Sequence, residues 1–310
     1  MRHLKYFCIL FVITMVFISG CGNSAKTSKQ HEGKIQITTT IGMIKDIVNE
    51  VGGEHVAVVG LMKSGVDPHL YKASQGDIQK LEEANIIFYN GLHLEGKMID
   101  IFEKMTKKKT TIAVSKDISE DLLRGWDDGT EGHDPHIWFN VKHWITATKT
   151  VRDELIKYDP DHKEDYQTNA DVYIKKLEEL DQYAEDKIAS IPEQTRVLVT
   201  AHDAFGYFGD RYGIEVMGLQ GISTASEYGS KDVSELRDFL VANKIKAVFM
   251  ESSVPKKAIN AVVEGAKKKG HNVKIGGELF SDAMGEEGTP EGTYIGMVRH
   301  NVDTIVDALK

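Results

Sequence analysis

An uninterrupted helical pattern runs from Asp159 to Ile191 and reads DPDHKEDYQTNADVYIKKLEELDQYAEDKIASI. Asp159 can cap a helix N-terminus, and Pro160 is favoured at the first helical position. Apolar residues then recur at three-to-four spacing, and no Gly or Pro follows until Pro192. A helix of roughly 30 residues is about 45 Å long. The pattern fits an ordinary long surface helix, or alternatively a rigid strut that joins two lobes.

Short β-rich runs alternate with helical patterns on both sides of this segment, which indicates an α/β fold with small, mostly parallel sheets. The predicted strands are Lys34–Thr38, His55–Leu61, Asn85–Tyr89, Thr110–Val114, Arg196–Thr200, Ile214–Met217, Lys246–Met250 and Asn272–Ile275. The other predicted helices are Met43–Val51, Ser74–Glu83, Met98–Met105, Val233–Ala242, Lys257–Lys268 and Glu291–Leu309. We therefore expect an N-terminal α/β lobe at 34–158, a connecting helix at 159–191 and a C-terminal α/β lobe at 192–310.

Length and charge narrow the class of protein. The chain has 310 residues, with 38 Lys and Arg against 47 Asp and Glu, so its formal net charge is −9. This length suggests about two domains. An acidic balance argues against a general nucleic-acid binder, so no nucleic-acid partner is expected. Both of the 2 cysteines lie within the first 21 residues, which excludes a disulfide framework in the body of the protein.

The N-terminus explains those cysteines. A short positive segment, Met1–Lys5, precedes the apolar run Tyr6–Ile18, which is too short for a stable membrane span and fits a secretory signal. The run ends in ISGC, which resembles the bacterial lipoprotein signal. We expect a signal peptide at 1–20, a lipid on Cys21, a flexible tether at 21–33, and a body held outside the cytoplasm at the bacterial cell membrane. The alternative is an uncleaved signal anchor or a short buried helix.

Two five-residue segments share the pattern Asp-Pro-His-aliphatic-aromatic: DPHLY at 67–71 and DPHIW at 134–138. The chain has only 6 prolines, so two of them in the same frame are an unlikely coincidence. Proline fixes its own φ and pushes the preceding residue to extended geometry, so His69 and His136 are each presented from a stiff loop. The aromatic residue that follows can pack against the loop and hold it. We interpret both histidines as candidate ligands.

The second half of the chain supplies two further candidates. His202 follows a predicted buried strand and is expected at the start of the helix that contains Phe205, where the helix N-terminus would keep its imidazole neutral. Asp282 lies in the loop after the last predicted strand. A solvated loop aspartate is the ordinary interpretation, and Asp282 gains weight only as the charged member of a set with three histidines.

The spacing of these four residues limits the kind of site. They are 67, 66 and 80 residues apart, whereas structural zinc modules use close ligand pairs. Four separate loops, two from each half, would place one ion in the cleft between lobes. Three imidazoles and a carboxylate suit zinc, manganese or iron. A lipid-anchored zinc-dependent hydrolase is the alternative, but no His-Glu-x-x-His motif occurs, and four protein ligands leave little room for a catalytic water.

The lipoprotein signal, the paired loops, the segment Thr200–Phe205, Ser281-Asp282 and the Asn90-Gly91-Leu92 segment together resemble the manganese/zinc ABC-transporter solute-binding lipoproteins (TroA-like). The resemblance covers essentially the whole mature chain. It implies a monomeric, non-catalytic protein with two lobes joined by a long helix, which delivers one divalent ion to an ABC permease. It assigns the metal ligands to His69, His136, His202 and Asp282.

The resemblance also bears on which metal is carried. Zinc-binding members of the family use His at the third ligand position, as here, while some manganese-binding members use Glu. Zinc-uptake members often carry a long His- and acid-rich loop before the second ligand, but here the only histidine shortly before His136 is His133. This favours Mn²⁺ over Zn²⁺.

Several other features have no assigned role. His93 and His133 are each expected to be ordinary histidines; the alternatives are that His93 faces the cleft and that His133 helps to capture metal. Glu251 follows a predicted strand and either accepts a hydrogen bond beside the cleft or caps the next helix. The lysine runs 107–109 and 267–269 are expected to be solvated helix ends, or else to face a permease. A surface adhesin with a structural metal also stays open as an alternative.

Overall fold

The computed structural model describes residues 33–126 and 132–310. The predicted signal peptide, the lipid attachment at Cys21 and nearly all of the predicted tether lie outside the described residues, so they stay predictions. Residues 35–310 form one compact unit. Within the described ranges, none of the helices is both long enough and apolar enough to cross a bilayer.

Two groups of parallel strands form the framework. In the described residues the strands are β1 Ile35–Thr39, β2 Val56–Gly60, β3 Ile86–Tyr89, β4 Thr110–Ala113, β5 Val197–His202, β6 Glu215–Gln220, β7 Ala247–Glu251 and β8 Lys274–Leu279. The first four form a parallel sheet in the order β2-β1-β3-β4. β5 pairs in parallel with β6, β7 pairs in parallel with β8, and β5 lies beside β7. The predicted α/β class is confirmed, and each predicted strand is present with shifted ends.

Parallel strands need crossover connections, and helices provide most of them. The α-helices in the part of the chain that is described are α1 Gly42–Gly52, α2 Gln75–Glu83, α3 Ile99–Thr106, α4 Val141–Tyr158, α5 Lys163–Ala189, α6 Gly206–Tyr212, α7 Ser230–Ala242, α8 Lys257–Lys268 and α9 Tyr294–Leu309. α1, α2 and α3 follow β1, β2 and β3 in turn, and α7 and α8 follow β6 and β7. A loop therefore follows the carboxyl end of each of these strands, and such loops can carry the side chains of a site.

The largest differences from the sequence prediction lie in helices α4, α5 and α9. α4 was not predicted, although Asn140 caps it by accepting a hydrogen bond from Lys142 N at 3.0 Å. The long helix α5 begins at Lys163 rather than at Asp159, because Pro160–His162 forms a short 3₁₀ turn first. The last helix likewise begins at Tyr294 after a 3₁₀ turn that starts at Pro290.

The long helix α5 packs against α1, α4 and α9, so it contacts helices from both ends of the chain. Its buried residues recur at helical spacing and are Tyr166, Ala170, Tyr173, Leu177, Leu180, Asp181, Ala184 and Ile188. One hydrophobic core continues from the first sheet through this stripe to α9. A second core lies between β5, β6 and β7 and helices α7 and α8. The arrangement favours the strut interpretation of α5, while the lobe boundaries at 158 and 191 stay predictions.

Candidate metal centre

The first Asp-Pro-His loop follows β2 and buries His69. Asp67 Oδ1 accepts a hydrogen bond from the backbone N of His69 at 2.9 Å, which closes a tight turn around the proline. Tyr71, two residues on, donates its hydroxyl to Asp77 Oδ2 at 2.8 Å and so ties the loop to the start of α2. The aromatic residue therefore holds the loop, as the sequence predicts. His69 is buried in this loop, with only 4% of the residue exposed.

The second loop repeats this turn and adds a contact. Asp134 Oδ1 accepts hydrogen bonds from both the backbone N and the ring Nδ1 of His136, at 2.9 and 2.7 Å. With Nδ1 engaged, only Nε2 of His136 faces the interior. Trp138 packs edge-on against the His136 ring, with ring centroids 5.3 Å apart, and donates its Nε1 to Ser281 O at 3.0 Å. Trp138 therefore ties the second loop to the loop that carries Asp282.

The Asn90-Gly91-Leu92 segment is hydrogen-bonded to the second loop and holds it in place. Asn90 donates its side-chain amide to Pro135 O at 2.9 Å. Glu95 is fully buried, and its Oε1 accepts hydrogen bonds from Asn90 N at 2.8 Å and Thr40 Oγ1 at 2.7 Å. Gly91 has φ +87°, and a Cβ there would lie 2.6 Å from Ser115 Oγ, so only glycine fits the turn. The segment resembling the family pattern thus positions a proline of the site rather than a ligand.

His202 is the last residue of β5, and its partner Glu251 is the last residue of the neighbouring strand β7. Glu251 Oε1 accepts a hydrogen bond from the backbone N of His202 at 2.8 Å, and its Oε2 pairs with the ring Nδ1. Both residues are buried, at 0% and 1% exposed. Glu251 is therefore a hydrogen-bond acceptor beside the cleft, the first of the two interpretations that the sequence left open.

The four candidate ligands converge on one point. His69 Nε2 lies 3.2 Å from His136 Nε2 and 3.7 Å from Asp282 Oδ2. His136 Nε2 lies 3.3 Å from Asp282 Oδ1, and His202 Nε2 lies 3.3 Å from Asp282 Oδ2. One ligand-type atom from each residue lies within 4.8 Å of the others, and all four residues are buried. Both carboxylate oxygens of Asp282 are buried with no hydrogen-bond partner among the described residues.

Proton affinities differ among the three histidines. Burial lowers the pKa of His69 to about 3 despite the opposing charge of Asp282, and the two neighbouring imidazoles lower it further, so this ring is neutral. For His136, burial also lowers the pKa, but the carboxylates of Asp134 and Asp282 outweigh it and raise the pKa to about 9. For Asp282, burial raises the pKa, but the charges of His202 and His136 hold it well below its usual range.

The expectation that a helix N-terminus keeps His202 neutral is wrong. α6 begins only at Gly206, so His202 stands on the strand and not on the helix. Burial lowers the pKa of His202, but Glu251 and Asp282 raise it well above its usual value. An ionised Asp282 held among protonated imidazoles is the pattern of a site whose protons a divalent cation can replace, since a ligating imidazole must be neutral.

The remaining histidines named above lie outside this group of four. His93 is exposed and has φ +62°, in the left-handed turn after Gly91. His133 lies in the second loop, where its Nε2 is 3.9 Å from Glu120 Oε1 and its backbone O accepts a hydrogen bond from Trp126. The sequence analysis did not identify Asp134 as the hydrogen-bond partner of the His136 ring. An acid two residues before a candidate ligand histidine was the available signal.

The fold and the site define a class of protein. Side chains from two α/β halves meet around a buried site, and a long helix runs between the halves; this is the architecture of a solute-binding protein. The structure is similar to the "periplasmic zinc binding protein TroA" of Treponema pallidum, with a TM-score of 0.87 and 48% identity, over 89% of this chain and 99% of that one.

Sequence comparisons agree with the structural one. A "manganese-binding lipoprotein MntA" of Bacillus subtilis is 52% identical over 94% of this chain and 95% of its own length. An "iron ABC transporter substrate-binding lipoprotein MtsA" of Streptococcus pyogenes is 32% identical over 98% of each. Residues 37–308 match the family described as "ZnuA: Zinc-uptake complex component A periplasmic". The chain belongs to this family, and the predicted resemblance is confirmed. These relatives are named as binding proteins, so the chain is a binding protein and not an enzyme.

Proposed function

We propose that this protein is a monomer that captures one divalent transition-metal ion outside the cytoplasm and delivers it to an ABC permease. Mn²⁺ is the favoured ion and Zn²⁺ the next. The ion is the transported substrate. A lipid on Cys21 holds the protein at the cell membrane while the tether at 21–33 lets the body reach the permease. The names of the relatives, which are lipoproteins and ABC-transporter components, support the anchor and the delivery step.

One observation carries the proposal: the buried carboxylate of Asp282 lies among three imidazoles, and one ligand-type atom from each of the four residues lies within 4.8 Å of the others. A buried carboxylate costs free energy unless positive charge compensates it, and a divalent cation can take over that role from the protonated imidazoles. We assign His69, His136, His202 and Asp282 as the metal ligands. Asp134 and Glu251 hold the outer ring nitrogens of two of them, which is the arrangement that orients ligating histidines.

The choice of Mn²⁺ rests on the sequence before the second ligand, which has His133 and no histidine-rich tract. The donor set alone does not separate the ions, because three imidazoles and one carboxylate bind Mn²⁺, Fe²⁺ and Zn²⁺, with affinity generally rising from Mn²⁺ towards Cu²⁺. We therefore expect Zn²⁺ to bind at least as tightly as Mn²⁺ in solution, while supply and release decide which ion is carried.

The ligand assignment is tested by equilibrium dialysis of the metal-stripped chain against Mn²⁺ and Zn²⁺ separately, with bound metal counted by elemental analysis. We expect about one tightly held ion per chain, lost in His69→Ala and in Asp282→Ala because each change removes a ligand. His93→Ala is the control, since it removes an exposed histidine outside the group. Wild-type metal affinity in either ligand variant would overturn the assignment, and no tight binding by the wild type would overturn the proposed function.

Lipid anchoring has its own test. Cys21→Ala removes the only thiol that the lipoprotein signal can modify, so we expect the protein to leave the membrane fraction of the expressing bacterium. Cys8→Ala is the matched control, because it changes the other cysteine and leaves the ISGC segment intact. Retention of the Cys21→Ala chain at the membrane would refute the lipid as the sole anchor.

A further inference from the structure

The two Asp-Pro-His loops form the same type of turn but differ in the partner of the second aspartate oxygen. In each loop one aspartate oxygen accepts the backbone N of the histidine. The second oxygen of Asp134 lies 3.8 Å from Arg124 Nε, within the same half of the chain. The second oxygen of Asp67 instead accepts a hydrogen bond from Thr224 Oγ1 at 2.7 Å, from a residue 157 positions away.

Thr224 lies in the loop between β6 and α7, and this loop is fixed to the strand beside His202. Gln220, the last residue of β6, donates its side-chain amide to Thr224 O and Ser226 O, each at 2.6 Å. Gln220 is also the register partner of His202 across the β5–β6 pair. The hydroxyl that reaches Asp67 is thus carried on the same framework that carries His202.

We propose that Thr224 is a positioning residue that latches the metal site. Its hydrogen bond to Asp67 fastens the loop of His69 to the strands of His202, and so slows the escape of a bound ion. The inference rests on the proposed function, because it concerns release of the ion that the four ligands hold. Thr224 itself is not among the four ligand-type residues.

The latch acts on release more than on capture for a geometric reason. Asp67 and Thr224 come from different halves of the chain, so a separation of the halves that frees the ion breaks their bond, and the bond stabilises the closed state alone. The bond is not yet formed when an ion enters an open site, so it does not affect the rate of entry. Other bonds also cross between the halves near the site. Those from Ser64 Oγ to Met284 O at 2.9 Å and from Trp138 Nε1 to Ser281 O at 3.0 Å hold the loop of Asp282, and that from Tyr207 Oη to Asp134 O at 3.0 Å holds the second Asp-Pro-His loop. Of these bonds, the one from Thr224 is the one that holds the aspartate of His69's own turn.

The test is a comparison of metal association and release rates in the full-length chain, purified in detergent. The chain is loaded with Mn²⁺ or Zn²⁺ and mixed with an excess of a chromogenic chelator to measure release. We expect Thr224→Val, which keeps the shape and removes the hydroxyl, to speed release about tenfold, since a hydrogen bond to a carboxylate is lost. Association should change by less than about twofold, because it precedes closure.

Two further variants separate the latch from general damage. Thr224→Ser restores the hydroxyl and should restore slow release, and Ser226→Ala, in the same loop, should behave as the wild type. Wild-type release from Thr224→Val with one ion still bound would overturn the latch and leave the proposed function standing. Slower association with unchanged release would also overturn it, since the hydroxyl would then act on entry. A wild-type chain that binds no ion would overturn the proposed function and the latch together.

Discussion

Two acids set the direction in which two of the imidazoles face. Glu251 engages the outer nitrogen of His202, and Asp134 engages that of His136, so that each inner Nε2 is aimed at Asp282. A carboxylate that accepts from Nδ1 fixes the tautomer in which Nε2 carries the free lone pair. The two acids therefore decide whether the rings can act as ligands, without touching the ion themselves.

Replacement of Glu251 by Gln tests this role. The glutamine oxygen can still accept the backbone N of His202, but its amide would donate towards Nδ1, so the ring proton would move to Nε2 and block the ligand atom. We expect Glu251→Gln to weaken binding of Mn²⁺ and Zn²⁺ by about 10- to 100-fold with the fold retained. Chelator-competition titration measures the affinity, and circular dichroism checks the fold.

The matched control is Glu264→Gln, on the exposed surface of α8. It makes the same change in charge far from the ligand histidines. Equal affinities in Glu251→Gln and in the wild type would show that the acid does not set the tautomer of His202.

At the scale of elements, local sequence patterns predicted the turns and most of the helices and strands. They could not predict which strands lie beside one another. The Asp-Pro-His turns are closed by atoms two residues apart, so the sequence alone identifies them. Glu251 and His202 meet only because β5 lies beside β7, which no local pattern contains. α4 escaped prediction because β-branched residues fill it, three threonines among them, and these lower helix propensity. Its buried Trp144, Ala147, Val151 and Leu155 do recur at helical spacing.

The lysine runs 107–109 and 267–269 likewise make tertiary contacts that no local sequence pattern predicts. Both were expected to be solvated helix ends, yet one lysine of each run is engaged. Lys109 Nζ donates to the carbonyl oxygens of Leu81 and Ala84 at 3.0 and 2.7 Å, and so satisfies the C-terminal end of α2. Lys269 Nζ donates to Asp238 Oδ1 at 2.6 Å and joins the end of α8 to α7. Which lysine of a run finds a partner depends on the tertiary placement of the next helix.

At the scale of the whole molecule, three helices meet at one acid. Asp46 on α1 accepts a hydrogen bond from Tyr173 Oη of the long helix α5 at 2.8 Å, and one from Tyr294 N at the start of α9 at 3.3 Å. The same carboxylate thus joins the first helix, the strut and the last helix. Burial raises the pKa of Asp46 to about 6, although the two hydrogen bonds oppose that rise.

This shift makes the contribution of Asp46 to the free energy of unfolding depend on pH. Because the folded chain binds the Asp46 proton more tightly than the unfolded chain, whose carboxyl has a pKa near 3.8, the contribution of Asp46 to stability falls as pH rises from about 4 to about 6. Above that range the full cost of the buried charge is present. We expect Asp46→Asn, which keeps an oxygen acceptor for Tyr173, to be more stable than the wild type by about 2 kcal/mol at pH 7.

The expected gain vanishes as the pH approaches 4, since the wild-type carboxyl is then protonated in the folded state and carries no charge to bury. Urea unfolding of the metal-free chains at a series of pH values measures the difference directly, and subtraction of the two curves cancels the titration of the site histidines. Glu54→Gln, an exposed acid in the turn just after the same helix, is the control and should show no such pH-dependent gain. A lower stability of Asp46→Asn at pH 7 would instead mean that the ionised carboxylate, through Tyr173 and Tyr294, is what holds the three helices together.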